Sequence, residues 1–186
     1  HEHKPFILDV GCGTGLNAKI LTERGYSVKG VDISNVAIEK FIEKGFEGKQ
    51  CDIVIDGLPY SDNYFDIVFA SEVIEHIADT EEFMREIKRV LKPKGTIILS
   101  TPNSSFWVYR VFSIIGKTLS EVQHPGHIRF FSKCLLIERF YEAGFSEIKM
   151  KSRKMYIVLP DKIGSILKVI GFGMFLTREF RFKTKE

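Results

Sequence analysis

The sequence predicts a single α/β domain built on a mainly parallel β-sheet. Its 186 residues suit one domain with a sizeable core. Short apolar runs alternate with segments of helical spacing, and this alternation is typical of strand–helix–strand units with a parallel sheet. A glycine-rich turn at residues 11–15 follows the first apolar run directly. We therefore expect one domain over residues 1–186, with a ligand near that turn.

The first half of the chain contains four predicted strands, each a short run of largely apolar residues. They cover residues 6–10, 27–32, 48–52 and 65–70. Residues 16–24 carry apolar side chains at helical spacing and end at Gly25, a natural helix stop. Ser34 caps a second helix that runs to about residue 44.

The second half continues the alternation. A helix opens after Asp79 and is closed by a Lys-Pro-Lys-Gly turn at residues 92–95. Residues 96–100 are rich in β-branched side chains and predict the fifth strand. Another helix begins at the Ser132 cap. The last two strands are predicted at residues 145–151 and 174–183.

Two unusually apolar segments interrupt this pattern. One covers residues 106–119 inside an insertion at about 104–131, and the other covers 163–172 inside a C-terminal helix and strand at about 160–184. A surface helix normally carries charge on one side, and these segments carry little. They either pack on each other, or form a lid over a hydrophobic substrate or a surface that touches a membrane.

Charge and cysteine content narrow the partners and the compartment. A net charge of +3 is too small and too dispersed to favour nucleic acid. Cys12, Cys51 and Cys134 are odd in number and have no metal-ligand spacing, which favours a reducing compartment. No signal peptide is evident, and no apolar run approaches the roughly 20 residues of a membrane span. We expect a cytoplasmic protein.

The glycine turn carries the strongest functional signal. Gly11, Gly13 and Gly15 let the backbone approach a ligand where a helix offers free N–H groups. The dinucleotide fingerprint needs a glycine at the position of Leu16, which disfavours an oxidoreductase. Asp9 beneath the turn would repel a pyrophosphate and attract the ammonium of a methionine moiety. The pattern therefore favours a nucleotide that bears an amino acid.

Two further carboxylates extend this site. Asp32 ends the second strand about 20 residues after the first glycine, which is the spacing of an acid that binds ribose hydroxyls. Asp52 closes the third strand and is expected to accept from the exocyclic amine of adenine. Ile33 and Ile53 are the expected apolar neighbours of the ring.

Successive motifs between residues 6 and 150 resemble class I S-adenosylmethionine-dependent methyltransferases of type 11, closest to the branch with the ubiquinone-biosynthesis O-methyltransferases. The motifs are Asp9-Val10-Gly11-Cys12-Gly13-Thr14-Gly15, Gly30-Val31-Asp32-Ile33-Ser34, Leu58-Pro59-Tyr60 with Phe65-Asp66-Ile67-Val68, Leu91-Lys92-Pro93-Lys94-Gly95, and Thr101-Pro102-Asn103. The resemblance implies a Rossmann-like three-layer sandwich whose seven-stranded, mostly parallel sheet has an antiparallel last strand.

The same resemblance implies S-adenosylmethionine as cofactor and S-adenosylhomocysteine as product. The implied cofactor contacts are Asp9, Gly11, Gly13, Thr14, Asp32, Ile33, Asp52, Ile53 and Ser71. The family usually carries helices before its first strand, so the resemblance implies either a chain that begins inside the domain or a more open site.

Three histidines follow the fourth and fifth strands, at the edge where ligands of such sheets bind. A sulfonium donor needs a base only when the acceptor is a hydroxyl or a protonated amine. His76 and His127 are the candidate catalytic residues, and Glu75 or Arg129 is expected to orient His127. The alternative is a plain connecting loop over residues 123–131 that docks its aromatic side chains.

A metal site is a further hypothesis for the segment after the fourth strand. Glu72, Glu75 and His76 would share one face of a helix, and His124 or His127 could complete the ligand set. This segment resembles the metal-bearing Glu-x-x-Glu-His element of small-RNA 2′-O-methyltransferases and some ubiquinone-pathway enzymes. The alternative is a hydrogen-bonded structural role without a metal.

We therefore predict methyl transfer to an oxygen of a small, partly apolar and lipid-like acceptor. Residues 106–119 would roof its pocket, with Trp107 and Tyr109 as lining. Three alternatives remain open: a metal-assisted nucleic-acid 2′-O-methyltransferase, a nucleotide-binding domain of another class, and a cofactor-binding protein without catalysis.

Overall fold

A computed structural model describes residues 4–152 and 177–184. The strands are β1 Phe6–Val10, β2 Ser27–Asp32, β3 Glu47–Gln50, β4 Phe65–Ser71, β5 Leu91–Pro102, β6 Phe145–Ser152 and β7 Thr177–Thr184. The α-helices are α1 Leu16–Glu23, α2 Asn35–Glu43, α3 Thr80–Val90, α4 Trp107–Ile114, α5 Leu119–Val122 and α6 Lys133–Glu142. A short 3₁₀ helix covers Ile74–His76.

The strands form one sheet in the order β3-β2-β1-β4-β5-β7-β6. β1 to β5 are parallel, and β7 lies between β5 and β6 and runs antiparallel to both. The predicted α/β fold on a parallel sheet is confirmed. The strand order reverses beside β1, which pairs with β2 on one side and with β4 on the other. Ligands of such sheets bind at this reversal, beyond the carboxyl ends of the strands.

The core consists of apolar side chains between the sheet and its helices. Leu8, Val68 and Leu99 from the central strands pack in one cluster with Phe83 of α3 and Phe140 of α6. A smaller cluster joins the glycine turn to its helices through Cys12, Ala18, Ile38 and Phe41. Both clusters hold the carboxyl ends of β1, β2 and β4 in fixed positions.

Two predicted boundaries are wrong, each because of a local backbone feature. β3 ends at Gln50 rather than at Asp52, because the Asp52 carboxylate binds the backbone N–H groups of Val54 and Ile55 in a turn. The predicted turn at residues 92–95 is a bulge inside β5.

The predicted apolar helix at residues 106–119 is interrupted. α4 ends at Ile114, and Gly116 then adopts a φ of +80°, which the helix cannot continue through. α5 begins only at Leu119.

The second apolar segment, residues 163–172, lies outside the described residues, as do residues 174–176 of the predicted last strand. Its predicted packing against residues 106–119 stays a prediction. Within residues 4–152 and 177–184, none of the helices has the length and apolar character needed to cross a bilayer.

Candidate active site

The glycine turn is fixed to its surroundings by its backbone. The N–H groups of Gly11 and Cys12 both donate to the carbonyl of Val31, at 2.9 and 3.0 Å. Gly11 has a φ of +67°, and a Cβ at this position would lie 2.6 Å from Cγ2 of Val73. Only glycine fits here. The turn therefore stands at a set distance from the chain that follows β4.

Asp32 joins the turn to the second helix. Its Oδ2 accepts from the Gly13 N–H at 2.8 Å, and its Oδ1 accepts from the Ser34 N–H at 2.9 Å. Each carboxylate oxygen has a second lone pair. Asp32 can therefore hold the turn and accept from ribose hydroxyls at the same time, which fits its predicted role.

Asp9 lies fully buried beneath the turn, with 0% of its surface exposed. Neither of its carboxylate oxygens has a hydrogen-bond partner among the described residues. Burial raises the pKa of Asp9 to about 7, and the nearby charge of Asp32 adds to this rise. A buried carboxylate with unpartnered oxygens fits the cationic end of S-adenosylmethionine.

A cleft of about 260 Å³ opens beside the turn. Six predicted site residues line it, namely Gly11, Ile33, Asp52, Ile53, Glu72 and His76. The other predicted cofactor residues are not part of its lining, namely Asp9, Gly13, Thr14, Asp32 and Ser71. The cleft therefore joins the predicted adenine side to the predicted metal and catalytic side.

Glu72 departs from the predicted helix after β4. It has a left-handed φ of +56°, and its N–H donates to the Ser100 carbonyl at 3.0 Å. Its Oε1 accepts from the Ser100 hydroxyl at 2.9 Å, and that hydroxyl also lies 2.9 Å from the Ser71 hydroxyl. The single helical face predicted for Glu72, Glu75 and His76 is wrong, because these bonds hold Glu72 at the end of β5.

Glu75 is the second buried acid of the site, with 1% of its surface exposed. Its Oε2 accepts from the Thr101 hydroxyl at 3.1 Å, whereas Oε1 is buried without a hydrogen-bond partner among the described residues. Burial raises the pKa of Glu75 to about 8, and the neighbouring Glu72 contributes to the rise.

Three histidine rings converge beside Glu75. The His76 and His127 rings are 4.9 Å apart between centroids, and His124 lies 5.6 Å from His127. Nδ1 of His76 lies 2.8 Å from the Gly126 carbonyl, to which it can only donate. Nε2 of His76 therefore carries a lone pair when the ring is neutral.

The structure orients His127 differently from the prediction. Its Nδ1 lies 3.0 Å from Oε1 of Gln123, whereas Arg129 donates to the Ala78 carbonyl. Partial burial lowers the pKa of His127, and the charges of His76 and His124 lower it further. The neutral ring, which can accept a proton, is thereby favoured near neutral pH.

Glu75, His76 and His127 form a group that could hold a metal ion. Each offers one ligand atom, and these atoms lie within 4.8 Å of one another. One carboxylate and two imidazoles suit a divalent transition metal, and the unpartnered Oε1 of Glu75 fits such an ion. This group includes His127 in place of the predicted Glu72, which nevertheless lines the adjoining cleft.

Sequence reasoning missed three contact residues, Gln123, Gly126 and Thr101. Each contacts a side chain that is distant in sequence or lies across a turn, so the local sequence does not reveal the contact, even for Thr101, which belongs to a family motif. Gln123 stood in the sequence only as the start of a connecting loop. Tyr109, one of the two predicted lining residues, lies against Gln123, and burial raises the pKa of its phenol.

Comparisons with known proteins agree with this geometry. A family model described as a methyltransferase domain matches residues 8–99. The ubiquinone biosynthesis O-methyltransferase of Rickettsia bellii is 35% identical over 140 residues, which are 73% of this chain and 58% of the relative. A second relative of the same name, from Rickettsia akari, is 30% identical over 87% of this chain and 66% of its own length. The chain thus spans about three fifths of these curated relatives.

A solved structure shows the same fold. The YcgJ protein of Bacillus subtilis superposes with a TM-score of 0.75 at 19% identity, covering 98% of this chain and 93% of that one. This match confirms the Rossmann-like α/β architecture. Together with the glycine turn and the ordered motifs around the cleft, the family model and the curated relatives place the chain in a family. It belongs to the class I S-adenosylmethionine-dependent methyltransferases.

Proposed function

We propose that this chain transfers the methyl group of S-adenosylmethionine to an oxygen of a small, partly apolar acceptor. The observation that carries the proposal is the cleft itself, which runs from the glycine turn to Glu72 and His76. A methyl donor and an acceptor hydroxyl could therefore meet in one place. The relatives named as ubiquinone biosynthesis O-methyltransferases support transfer to oxygen.

In this proposal the cofactor lies across the carboxyl ends of β1, β2 and β3. Asp32 binds the ribose hydroxyls, and Asp52 accepts from the adenine amine. The buried Ile53 and the exposed Ile33 contact the two sides of the ring. The bound cofactor supplies a methyl group already activated by a sulfonium. The protein's task is then to align the acceptor and exclude water.

The remaining proposed cofactor contacts surround the methionine end. Gly11, Gly13 and Thr14 offer backbone at the turn, and Asp9 provides a negative field beneath it. Ser71 would contribute its hydroxyl from the end of β4, where it pairs with Ser100.

On the acceptor side, the chain must take a proton from the attacking hydroxyl. In the metal-free protein we assign this role to Nε2 of His127 or His76, because each ring can donate its Nδ1 hydrogen to another group. With a divalent cation bound, Glu75, His76 and His127 would instead hold the ion, which would lower the pKa of an acceptor hydroxyl, and the proton would pass to solvent. Glu72, at the cleft wall, would face the acceptor.

The apolar part of the acceptor is proposed to lie along α4. Within the described part of the chain, this helix exposes Trp107, Val111 and Ile114. The adjacent Arg110 and Lys117 are also exposed. Such a face suits a lipid-like acceptor or contact with a membrane surface. The proposed setting is the cytoplasmic side of such a surface, in keeping with three free cysteines.

A thermal-shift experiment tests the cofactor assignment. S-adenosylmethionine and S-adenosylhomocysteine should each raise the melting temperature, whereas NAD and NADP should not. A ligand at about 100 times its dissociation constant adds about 2.7 kcal/mol of stability. Asp32→Asn should respond less to both adenosyl compounds, because an amide keeps only one of the two acceptor oxygens that hold Gly13 and Ser34. A shift with NAD and none with the adenosyl compounds would contradict the proposal.

Acceptor class is tested by methyl-transfer assays with a prenylated catechol, a water-soluble catechol and a polar amine, each with and without Mn²⁺. The prenylated catechol should be the best substrate. Methylation of the polar amine alone would contradict an oxygen acceptor of apolar character.

A second candidate is a nucleic-acid 2′-O-methyltransferase, and the Glu75, His76 and His127 group is the observation that favours it. The small net charge of +3 speaks against a phosphate-binding track. Metal-dependent methylation of a short RNA, with no turnover of the catechols, would establish this candidate instead.

A further inference from the structure

We propose that Gln123 is a positioning residue that fixes the tautomer of His127 and so presents its Nε2 lone pair to the site. The inference rests on the proposed role of His127 in methyl transfer and deepens it. A neutral imidazole carries one proton on either nitrogen, and only the bare nitrogen can accept a proton or bind a metal. Which nitrogen is bare therefore decides whether His127 can act.

The contact between the two side chains sets this choice. Oε1 of Gln123 lies 3.0 Å from Nδ1 of His127. An amide oxygen can only accept a hydrogen bond, so Nδ1 must carry the proton. Nε2 is then the bare nitrogen. This matches the group formed with Glu75 and His76, in which His127 offers a ligand atom within 4.8 Å of the others.

His124 shows that the loop does not impose one tautomer on all its histidines. The Gly126 N–H donates to Nδ1 of His124 at 3.1 Å, so a neutral His124 carries its proton on Nε2. His124 and His127 thus have opposite tautomers although they are three residues apart. Among the described histidines, His76 and His127 alone present a bare Nε2, and these two belong to the candidate metal group.

The surroundings of Gln123 fix its position. Its backbone N–H donates to the Leu119 carbonyl at 2.9 Å, which ends α5 and fixes the residue. The amide nitrogen is buried and has no hydrogen-bond partner among the described residues. The amide also lowers the pKa of the Tyr109 phenol, although burial raises that pKa more. The Gln123 side chain thus lies near both the Tyr109 phenol and the His127 imidazole, with its oxygen on Nδ1 of His127.

In this proposal the insertion at about residues 104–131 also orients His127, besides covering the acceptor. Tyr109 belongs to α4 and Gln123 follows α5, so both helices act on the histidine through this amide. When the N–H of a metal-binding imidazole donates to a neighbouring group, the metal-binding nitrogen becomes more basic and the ring orientation is fixed.

The tautomer can be measured in metal-free protein by two-bond ¹H–¹⁵N correlation of the imidazole rings. Wild-type His127 should be the Nδ1–H form. Gln123→Ala should produce a mixture of both forms, and Gln123→Glu should restore the Nδ1–H form because a carboxylate also accepts from Nδ1. His76 is the internal control, because the Gly126 carbonyl holds it in every variant. Ser120→Ala, at an exposed neighbour, is the matched control for the helix.

Metal affinity provides the second readout. Titration with Mn²⁺ should show binding weakened about 10- to 100-fold in Gln123→Ala and recovered in Gln123→Glu. Wild-type protein with the His127 proton on Nε2 would overturn the inference, whatever its methyl-transfer activity. The Nδ1–H form together with a lack of response to S-adenosylmethionine would instead support the inference and contradict the proposed function. If Gln123→Ala does not fold, the wild-type and Gln123→Glu spectra decide the question.

Discussion

Asp9 and Glu75 are two buried carboxylates that lie behind the lining of one cleft, next to Val10 and His76 respectively, and their environments differ. Each has an unpartnered buried oxygen among the described residues, and burial raises the pKa of each, to about 7 and about 8 respectively. Asp9 has no hydrogen bond to the described residues through either oxygen, whereas Glu75 accepts one from Thr101. Asp9 also lies near Asp32, and Glu75 lies near Glu72. In both cases the neighbouring carboxylate further opposes ionisation.

This difference indicates which kind of positive charge suits the Asp9 region and which suits the Glu75 region. The Asp9 region is closed by a rigid glycine turn, so it can act on a cation mainly through its field. In the Glu75 region, the ligand atoms of two imidazoles and the carboxylate lie within 4.8 Å of one another, so this region could bind an ion directly. In both regions a positive charge would favour the ionised carboxylate that burial disfavours. The following predictions test this contrast, from the largest expected effect to the smallest.

Gly11→Ala should abolish cofactor binding, because its Cβ would meet Val73 and its φ of +67° would be strained. Calorimetric titration with S-adenosylmethionine measures this loss. Gly13→Ala is the control, since its φ is +52° but a Cβ there meets no atom within 4 Å. Equal affinity in the two variants would show that the turn is not held by its contact with Val73.

Glu75→Gln should reduce Mn²⁺ affinity by about 100-fold or more, because it removes the anionic ligand and keeps an acceptor for Thr101. Cofactor binding should change little. The raised pKa means that the native state holds its proton up to about pH 8, whereas the unfolded chain loses it near 4.5. The stability contributed by this group is therefore full at low pH and is lost as the pH rises through 8.

Denaturant unfolding across this pH range checks the sign for Glu75. Wild-type stability should fall between about pH 5 and about pH 8, and Glu75→Gln should flatten that fall. Glu43→Gln is a surface control, because its carboxylate is exposed at the end of α2. A steeper fall in Glu75→Gln would contradict the assignment.

Asp9→Asn should weaken S-adenosylmethionine binding by about tenfold, an effect of about 1.4 kcal/mol, because the field beneath the turn is lost. The cofactor-free protein should become more stable near pH 8, since the buried charge is removed. The native pKa of Asp9 is also raised, from 3.8 to about 7. The stability that Asp9 contributes is therefore full below about pH 3.8 and is lost as the pH rises through 7.

The pH dependence of binding separates the two acids. Wild-type affinity for S-adenosylmethionine should increase as the pH rises through 7, because binding favours ionised Asp9. Isothermal titration in buffers of different ionisation enthalpy would detect the released proton. Retention of that proton release in Asp9→Asn would assign it to another group.

Ile114→Glu should have the smallest effect, raising KM for a prenylated acceptor about two- to fivefold at unchanged melting temperature. Ile114 is 84% exposed on α4, so its replacement should not disturb the core. Ile55→Glu is the matched control, because Ile55 is 81% exposed and lies outside the insertion. The same KM in both variants would remove α4 from the acceptor site.

The sequence predicted the backbone geometry of the glycine turn, but it did not predict the contacts among the histidines, for a physical reason. Asp9, Gly11 and Asp32 act through backbone conformation and strand ends, which local patterns encode. The His127 tautomer depends on Gln123 and Tyr109, whose meeting depends on how the insertion folds. The contact between His76 and Gly126 spans 50 residues, so the local sequence does not reveal it.

Two local predictions were wrong because of backbone conformation: the turn at residues 92–95 and the helical face at Glu72. The bulge in β5 and the left-handed Glu72 both arise where β4 and β5 pair, and pairing between distant strands is not encoded in either strand alone. The histidines could be named as candidates from sequence, but the group with Glu75 required the three-dimensional structure.

The carbonyl of Glu75 accepts from the N–H groups of both Ile128 and Arg129, at 3.0 Å each. These main-chain bonds anchor the loop over residues 123–131 to the segment after β4, in addition to the side-chain bonds of His76 and Arg129. Side chains in the loop can be exchanged without removing this anchor. The loop is therefore a natural module for grafting, in which new acceptor preferences could be engineered while the methyl-donor half is left as it is.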